Sequence, residues 1–172
     1  MPSFFDERGG LIADAAIGAA AGLAATAAVA AIIQLGPRLG FDPAGKGADG
    51  EPQVGSPEAA SESVDILSRT VTGHEVSEEG QMAATSAFQF VFGAGLGAAY
   101  GMAARLFPAV TAGRGTLFGG AIFALFDEML VPASGLTGKP QDSDPRAHVG
   151  ALGIHLVFGS VLETLRRLLR RR

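Results

Sequence analysis

The sequence contains no cysteine and no tryptophan, and only 17% of its 172 residues are charged. Without cysteine, the chain has no disulfide framework, no cysteine zinc site and no thiolate nucleophile. A soluble domain carries about a quarter charged residues, whereas 48% of this chain is hydrophobic. The composition therefore indicates an apolar environment, and the length favours a single domain over residues 1–172.

Acidic residues are concentrated in one part of the chain. The segment 36–81 contains nine acidic and three basic residues, which gives it a charge of −6, whereas the whole chain has −4. The remainder of the chain is therefore slightly basic, at +2. This division predicts an acidic loop attached to an apolar body.

Long apolar stretches make up that body. A helix needs about 20 apolar residues to cross the hydrocarbon core of a bilayer, and four stretches approach or reach that length. We therefore predict an all-α fold, a four-helix transmembrane bundle forming one integral membrane domain, with spans at about 11–35, 82–106, 116–136 and 148–165.

Two other interpretations of the apolar stretches are less favoured. A soluble, alanine-rich bundle would show polar helix faces, and Met82 to Ala104 contains no charged residue. A cleaved signal peptide would begin with a basic segment, but Asp6 and Glu7 outweigh Arg8. We therefore expect the first stretch to be a membrane span.

The acidic segment 36–81 is predicted to be an outer loop that carries an amphipathic helix. Residues 36–55 are rich in glycine and proline and should be irregular. Ser56, Pro57 and Glu58 then form a helix-start pattern. Apolar residues at 60, 64, 67 and 71 share one face of a Pro57–Thr72 helix. We expect this helix to lie on the outer membrane surface or to cap the bundle, with partner docking as the alternative.

Basic residues predict the orientation in the membrane. Arg105 and Arg114 lie in the short turn between the second and third spans, and the C-terminal tail contains further arginines. The positive-inside rule then predicts a bacterial inner-membrane protein with both termini in the cytoplasm. Asp14, within one turn of the end of the first span, should reach the headgroups. The tail is predicted to face anionic lipid rather than nucleic acid, through Arg166, Arg167, Arg170 and Arg171.

Glycines recur at four-residue spacing in three of the spans. Small residues let helices approach closely in lipid, so these glycines predict helix packing, either within one bundle or between copies in a homo-oligomer. None follows a strand, which argues against a phosphate-binding loop. The predicted packing residues are Gly18, Gly22, Gly93, Gly97, Gly101 and Gly119.

A set of polar residues is predicted to lie inside the membrane at one depth. At ~1.5 Å per residue, four of them fall roughly 10–14 Å below the outer surface, and a fifth shares a helix face with one of these. Buried polar groups in a bilayer usually face partners or water. The interpretations are a hydrogen-bonded cluster that fixes helix packing, a protonatable or ion-binding site, or a divalent-metal site, of which the metal site is least favoured. The predicted buried polar cluster is Gln89, Asp127, Glu128, His155 and His148.

Some of these residues belong to patterns that resemble a known family. Tyr100-Gly101, Asp127-Glu128-x-x-Val131-Pro132-x-x-Gly135-Leu136 and His148-x6-His155 with Gly159 and Glu163 are similar to patterns of the YagU-like bacterial inner-membrane proteins. The resemblance implies a small multi-span membrane protein and brings no established reaction. It departs at Gln89, where the family pattern tends to have histidine, and this weakens the metal interpretation.

These observations predict a class of protein but no specific biochemical activity. We expect a membrane protein that is not an enzyme and needs no cofactor and no metal, with the lipid bilayer as its main partner. The alternative is a proton-responsive or small-solute transport protein that uses Asp127, Glu128 and His155 as a relay. No serine lies in a Gly-x-Ser-x-Gly context, and acids beside histidines do not define a reaction.

Overall fold

The computed structural model describes residues 4–40, 57–126, 129 and 145–171, and these ranges contain helices and turns without a β-strand. The prediction of an all-α fold is confirmed for this part of the chain. The two short 3-10 segments are Gly36–Leu39 and Pro108–Gly115. The α-helices are α1 (Phe4–Leu35), α2 (Pro57–Thr72), α3 (Glu78–Leu106), α4 (Thr116–Leu125) and α5 (Pro145–Arg170).

Three helical segments are long and apolar enough to cross a membrane. They are Gly10–Leu39, Glu79–Leu106 and His148–Arg170, which correspond to the first, second and fourth predicted spans. The third predicted span, 116–136, is described as an α-helix only over Thr116–Leu125, and most of its remainder lies outside the described residues. The described part of the chain therefore contains three helices that are long and apolar enough to cross a membrane.

The length of α1 follows from its composition. The helix begins seven residues before the predicted start at residue 11, and its 32 residues include no proline. Alanine is the strongest helix former, and α1 is rich in it. The helix ends where Gly36 and Pro37 begin a 3-10 turn, which Gly40 closes in a left-handed conformation with φ 83°. Residues 41–56 of the predicted irregular loop lie outside the described residues.

Helix α2 has the bounds that the sequence predicts, Pro57 to Thr72. Its side toward α3 contains Ser61, whose hydroxyl is 3.1 Å from that of Thr85 and whose carbonyl accepts a hydrogen bond from Gln81. Val64 of the predicted apolar face is buried, whereas Leu67 and Val71 are exposed. The apolar face is therefore covered at Val64, whereas it remains uncovered at Leu67 and Val71 within the described residues.

The chain divides into two compact units, and each takes segments from several helices. Unit 1 consists of Met1–Ala31, Phe90–Ala121 and His155–Arg172. Unit 2 consists of Ile32–Gln89 and Ile122–Ile154. The core of unit 1 is formed by small and large apolar side chains together with one tyrosine, namely Ala21, Ala25, Tyr100, Ala104, Phe158 and Leu162.

In unit 1, α1 and α3 pack antiparallel along a line of glycines. A Cβ atom on Gly97 would overlap the carbonyl oxygen of Gly18, and one on Gly93 would overlap the hydroxyl of Thr26. Gly22 and Gly101 meet the opposite backbone in the same way. The two helices can approach this closely because glycine has no side chain.

Helices α4 and α5 form a second glycine-packed antiparallel pair in unit 1. A Cβ atom on Gly119 would overlap the carbonyl oxygen of His155, and one on Gly115 would overlap that of Gly159. Gly115 also has φ 93°, a left-handed conformation that glycine adopts without strain. It therefore serves both the turn before α4 and the close helix contact.

Candidate functional site

Charged side chains of three helices meet at one end of unit 1. Helix α1 has its first turns here, and α3 and α5 have their last turns here. The side chains are connected by ion pairs and hydrogen bonds between 2.5 and 3.2 Å long. We name this group the charged cluster and define it as Asp14, Tyr100, Arg105, Glu163, Arg166, Arg167 and Arg170.

Glu163 is the most buried member of the charged cluster, with a side chain that is 0% exposed. One carboxylate oxygen accepts a hydrogen bond from the Tyr100 hydroxyl at 2.8 Å and one from Arg166 Nε at 2.7 Å. The other oxygen accepts from Arg166 Nη2 at 3.0 Å and from Arg167 Nε. The carboxylate thus receives four donors from two helices, which compensates for its removal from water.

Asp14 connects α1 to both of the other helices. Its side chain is 5% exposed. One oxygen lies 3.2 Å from Arg105 Nη1 at the end of α3, and the other lies 3.2 Å from Arg170 Nε at the end of α5. A single carboxylate therefore joins three helices through two charge-assisted contacts.

Tyr100 lies between the Glu163 carboxylate and the apolar core. Its ring is 4.5 Å from that of Phe118 on α4, and the guanidinium carbon of Arg166 lies 5.8 Å from the centre of the ring. This distance is within the range of a cation–π contact. The side chain thus has an apolar face toward α4 and polar contacts toward α5.

The local sequence explains why these groups meet. Glu163 precedes Arg166 and Arg167 by three and four residues, a spacing that puts them on one helix face. The antiparallel pairing of α1 with α3 brings the start of one to the end of the other, so Asp14 lies near Gly101 and Arg105. The close approach of the helices at their glycines therefore positions the charged side chains.

The structure corrects two sequence-based expectations at this site. Arg166 was expected to face lipid, but its side chain is only 7% exposed and points to Glu163 and Tyr100. Asp14 was expected to reach lipid headgroups, but it contacts arginines inside the bundle. Both side chains turn inward because each finds an oppositely charged partner there. Arg167 and Arg170 are partly exposed while paired, and Arg171 is exposed.

The predicted buried polar cluster is only partly described. Asp127 and Glu128 lie outside the described residues. Gln89 and His148 are half-buried in unit 2, and the His148 ring makes an edge contact with Phe123, with 6.2 Å between the ring centres. The shared depth predicted for these residues stays a prediction.

His155 lies in unit 1, where α4 and α5 are closest. Its carbonyl oxygen faces Gly119, and its side chain is half-buried and makes an interaction of its own. Within the described ranges, no three histidine, aspartate or glutamate side chains converge as they would around a metal ion. Two members of the predicted polar cluster, Asp127 and Glu128, lie outside those ranges.

Sequence reasoning missed the charged cluster as a site, although signals for it were present. In the sequence, Glu163 and Tyr100 stand out only as parts of the pattern that resembles a known family. Two predicted spans each have an acid near one end, Asp14 in the first span and Glu163 in the fourth. Arginines follow Glu163 at three and four residues, and Arg105 lies at the end of the second span, next to the first in the chain. Antiparallel pairing of adjacent spans would have placed these groups on one side of the bundle.

Comparison with known proteins gives one family match. No curated protein and no solved structure shows a significant match to the chain. A family model described as a protein of unknown function, DUF1440, matches residues 28–164. This range includes Tyr100 and Glu163 and ends before Arg166. Because the match covers most of the chain, the protein belongs to the DUF1440 family of proteins of unknown function.

Proposed function

We propose that this protein is a multi-pass protein of the bacterial inner membrane, not an enzyme, in which the charged cluster locks three helices together at the cytoplasmic end. The observation that carries the proposal is Glu163, fully buried and bound to Tyr100 of α3 as well as to arginines of α5. An acid inside an apolar bundle stabilises it only when its partners are in place. The cluster therefore makes the helix arrangement specific.

The arrangement of helix ends supports an even number of membrane crossings. In unit 1 the end of α3, the start of α4 and the end of α5 lie together. At ~1.5 Å per residue, the 26 residues of α5 extend about 39 Å, more than the ~30 Å core of a bilayer. If α3 and α5 both span, they end on the same side of the membrane, so α5 begins on the opposite side from the end of α3. The chain between residues 115 and 145 must then cross once more, which favours the four spans predicted from the sequence.

Charge supports the orientation. Unit 1 contains eight arginines and four acidic residues, and those whose side chains the structure describes lie toward the end of the helices where the charged cluster is found. Arginine-rich ends of membrane proteins favour the cytoplasm. Both termini and the 105–115 turn would then be cytoplasmic, and the acidic 36–81 loop would be on the outer side.

The contacts within the cluster favour a structural role over catalysis. Both carboxylates bind guanidinium groups, and the Tyr100 hydroxyl donates to Glu163. Charge-assisted pairs of this kind hold side chains in fixed positions. The glycine faces of α1 and α3 pack against each other within one chain, so a homo-oligomer would have to form through another surface.

The alternative function is a proton or ion relay through Asp127, Glu128 and His155. It is motivated by ionisable residues predicted to lie within the spans. We expect Asp127→Asn and His155→Ala variants to reduce proton flux in proteoliposomes if the relay operates. Flux equal to that of the wild type in both variants would remove this alternative.

Replacement of Glu163 tests the structural proposal. Glu163→Ala leaves Arg166 buried without its partner, and breaking a buried pair costs about 3–5 kcal/mol. We expect a correspondingly lower free energy of unfolding for the purified protein, measured by denaturant titration in mild detergent. Glu79→Gln, which changes an exposed acid on α3, is the matched control. Equal stability of Glu163→Ala and Glu79→Gln would contradict the proposal.

A further inference from the structure

The charged cluster contains more positive charge than its own carboxylates neutralise. Asp14 is shared by Arg105 and Arg170, and Glu163 is shared by Arg166 and Arg167. Each acid thus compensates one of two arginines. Because excess charge beside an apolar bundle is unfavourable, the cluster is suited to bind an anion.

Two of the arginines have an open edge. Arg167 contacts Glu163 through Nε, and Arg170 contacts Asp14 through Nε. A guanidinium group has five N–H donors, and the described contacts with the two acids use only the Nε donor of each arginine. The side chains are 50% and 43% exposed, respectively. Both can therefore donate outward while their acids remain paired.

Arg166 provides an independent observation at the same place. Its side chain is more than nine-tenths buried, and its Nη1 atom has no hydrogen-bond partner in the described part of the chain. A buried donor without an acceptor costs about 1–3 kcal/mol. The unpartnered nitrogen belongs to the guanidinium group that shares Glu163 with Arg167, so the described part of the cluster also contains a buried donor that lacks an acceptor.

The chemistry of these donors selects the ligand. A planar guanidinium group recognises phosphate through two parallel hydrogen bonds, and the cluster has two such groups that are partly exposed, Arg167 and Arg170. The cluster lies where three helices of membrane-spanning length begin or end, which in the proposed topology is near the level of the phosphate headgroups. Arginines at such positions attract anionic lipid.

We propose that the charged cluster binds a phosphate group through Arg167 and Arg170, and that an anionic lipid headgroup supplies this phosphate. The inference rests on the proposed position of the cluster at the membrane surface. It makes the cluster a specific lipid site rather than a general basic surface. A soluble phosphate is the other source of the same chemistry, and the experiment separates the two.

The test uses the double variant Arg167→Gln with Arg170→Gln. It removes the excess charge but leaves Asp14 paired with Arg105 and Glu163 paired with Arg166. The full-length protein is placed in bilayers that contain dioleoyl-phosphatidylglycerol and dioleoyl-phosphatidylcholine, and the lipids that remain bound are measured by native mass spectrometry. We expect the preference for phosphatidylglycerol to fall by about tenfold, since two charged donors to phosphate are lost.

The matched control is Arg114→Gln with Arg171→Gln. It removes two exposed arginines of unit 1 that lie outside the cluster. We expect the control to keep the preference to within about twofold, since these residues contribute only general attraction. An equal loss in both double variants, or no loss in either, would overturn the proposal of a specific site.

A second arm distinguishes the source of the phosphate. Inorganic phosphate is added to the protein in uncharged detergent, and the unfolding temperature is compared with that in sodium chloride of equal ionic strength. The lipid assignment predicts the same temperature in both salts. A phosphate-specific rise that the Arg167→Gln, Arg170→Gln variant loses would overturn that assignment in favour of soluble phosphate.

Failure of this inference can be told apart from failure of the proposed function. The Glu163→Ala variant reports on helix locking through stability alone, without added lipid. A lower stability of Glu163→Ala together with an unchanged lipid preference of the arginine variant would retain the locking role and reject the lipid site.

Discussion

At the scale of single residues, the hydrogen bond that the Tyr100 hydroxyl donates to Glu163 is, among the described contacts, the only one from α3 to the Glu163 carboxylate. We expect Tyr100→Phe to lower the free energy of unfolding by about 1.5–3 kcal/mol, the range for a hydrogen bond to a charged group. The ring and its contact with Phe118 are preserved in this variant, so the change reports on the hydroxyl group.

A double-mutant cycle with Glu163→Gln provides the control for Tyr100→Phe. The two effects should be strongly non-additive, because both substitutions remove the same contact. Denaturant titration of the four proteins in one detergent gives the coupling free energy. Additive effects would show that Tyr100 stabilises the protein only through its ring.

The residue scale also shows where sequence reasoning reaches its limit. The helical face shared by His155, Gly159 and Glu163 follows directly from spacing, and so does the pairing of Glu163 with arginines in the next turn. The contact of Asp14 with Arg105 joins residues 91 positions apart. It depends on the register of α1 against α3, which periodicity within one helix does not determine.

At the scale of helices, glycine positions determine which faces meet. Gly97 faces the backbone of α1, whereas Gly95, two residues earlier in α3, has open space where a Cβ atom would be. We expect Gly97→Ala to destabilise the protein by roughly 1–3 kcal/mol, the usual cost of overpacking. Gly95→Ala should be neutral or stabilising by about 0.5–1 kcal/mol, since alanine is the better helix former.

Unfolding of both alanine variants in detergent provides the comparison between these glycines. The two substitutions add the same methyl group to the same helix, so only the helix contact differs. Equal stability of the two variants would contradict the α1–α3 packing.

The helices themselves were largely predictable from the sequence, and their ends less so. The bounds of α2 follow from its proline start and apolar spacing and agree with the structure. The spans of α1 and α5 extend beyond the predicted limits because charged residues continue the helix past the apolar stretch. Composition indicates which residues can lie in the hydrocarbon core of a bilayer. The ends of a helix depend instead on capping and on contacts with other helices, such as the ion pair between Arg170 at the end of α5 and Asp14 of α1.

At the scale of the whole molecule, the proposed account has a simple consequence for topology. In the proposed topology, the start of α1, the turn at residues 108–115 and the end of α5 would lie on one side of the membrane, and the acidic loop residues 57–77 would lie on the other. The absence of cysteine makes single-cysteine labelling possible without background. Exposed positions on the described segments include Ser77, Ala112 and Arg171.

Labelling of single cysteines in intact cells by a membrane-impermeant maleimide is the most direct test of the central claim, that the charged cluster lies at the cytoplasmic end of an even-numbered set of spans. We predict labelling of Ser77→Cys in intact cells, and labelling of Ala112→Cys and Arg171→Cys only after the membrane is permeabilised. Labelling of Ala112→Cys and Arg171→Cys from outside, or protection of only one of these two, would contradict the account.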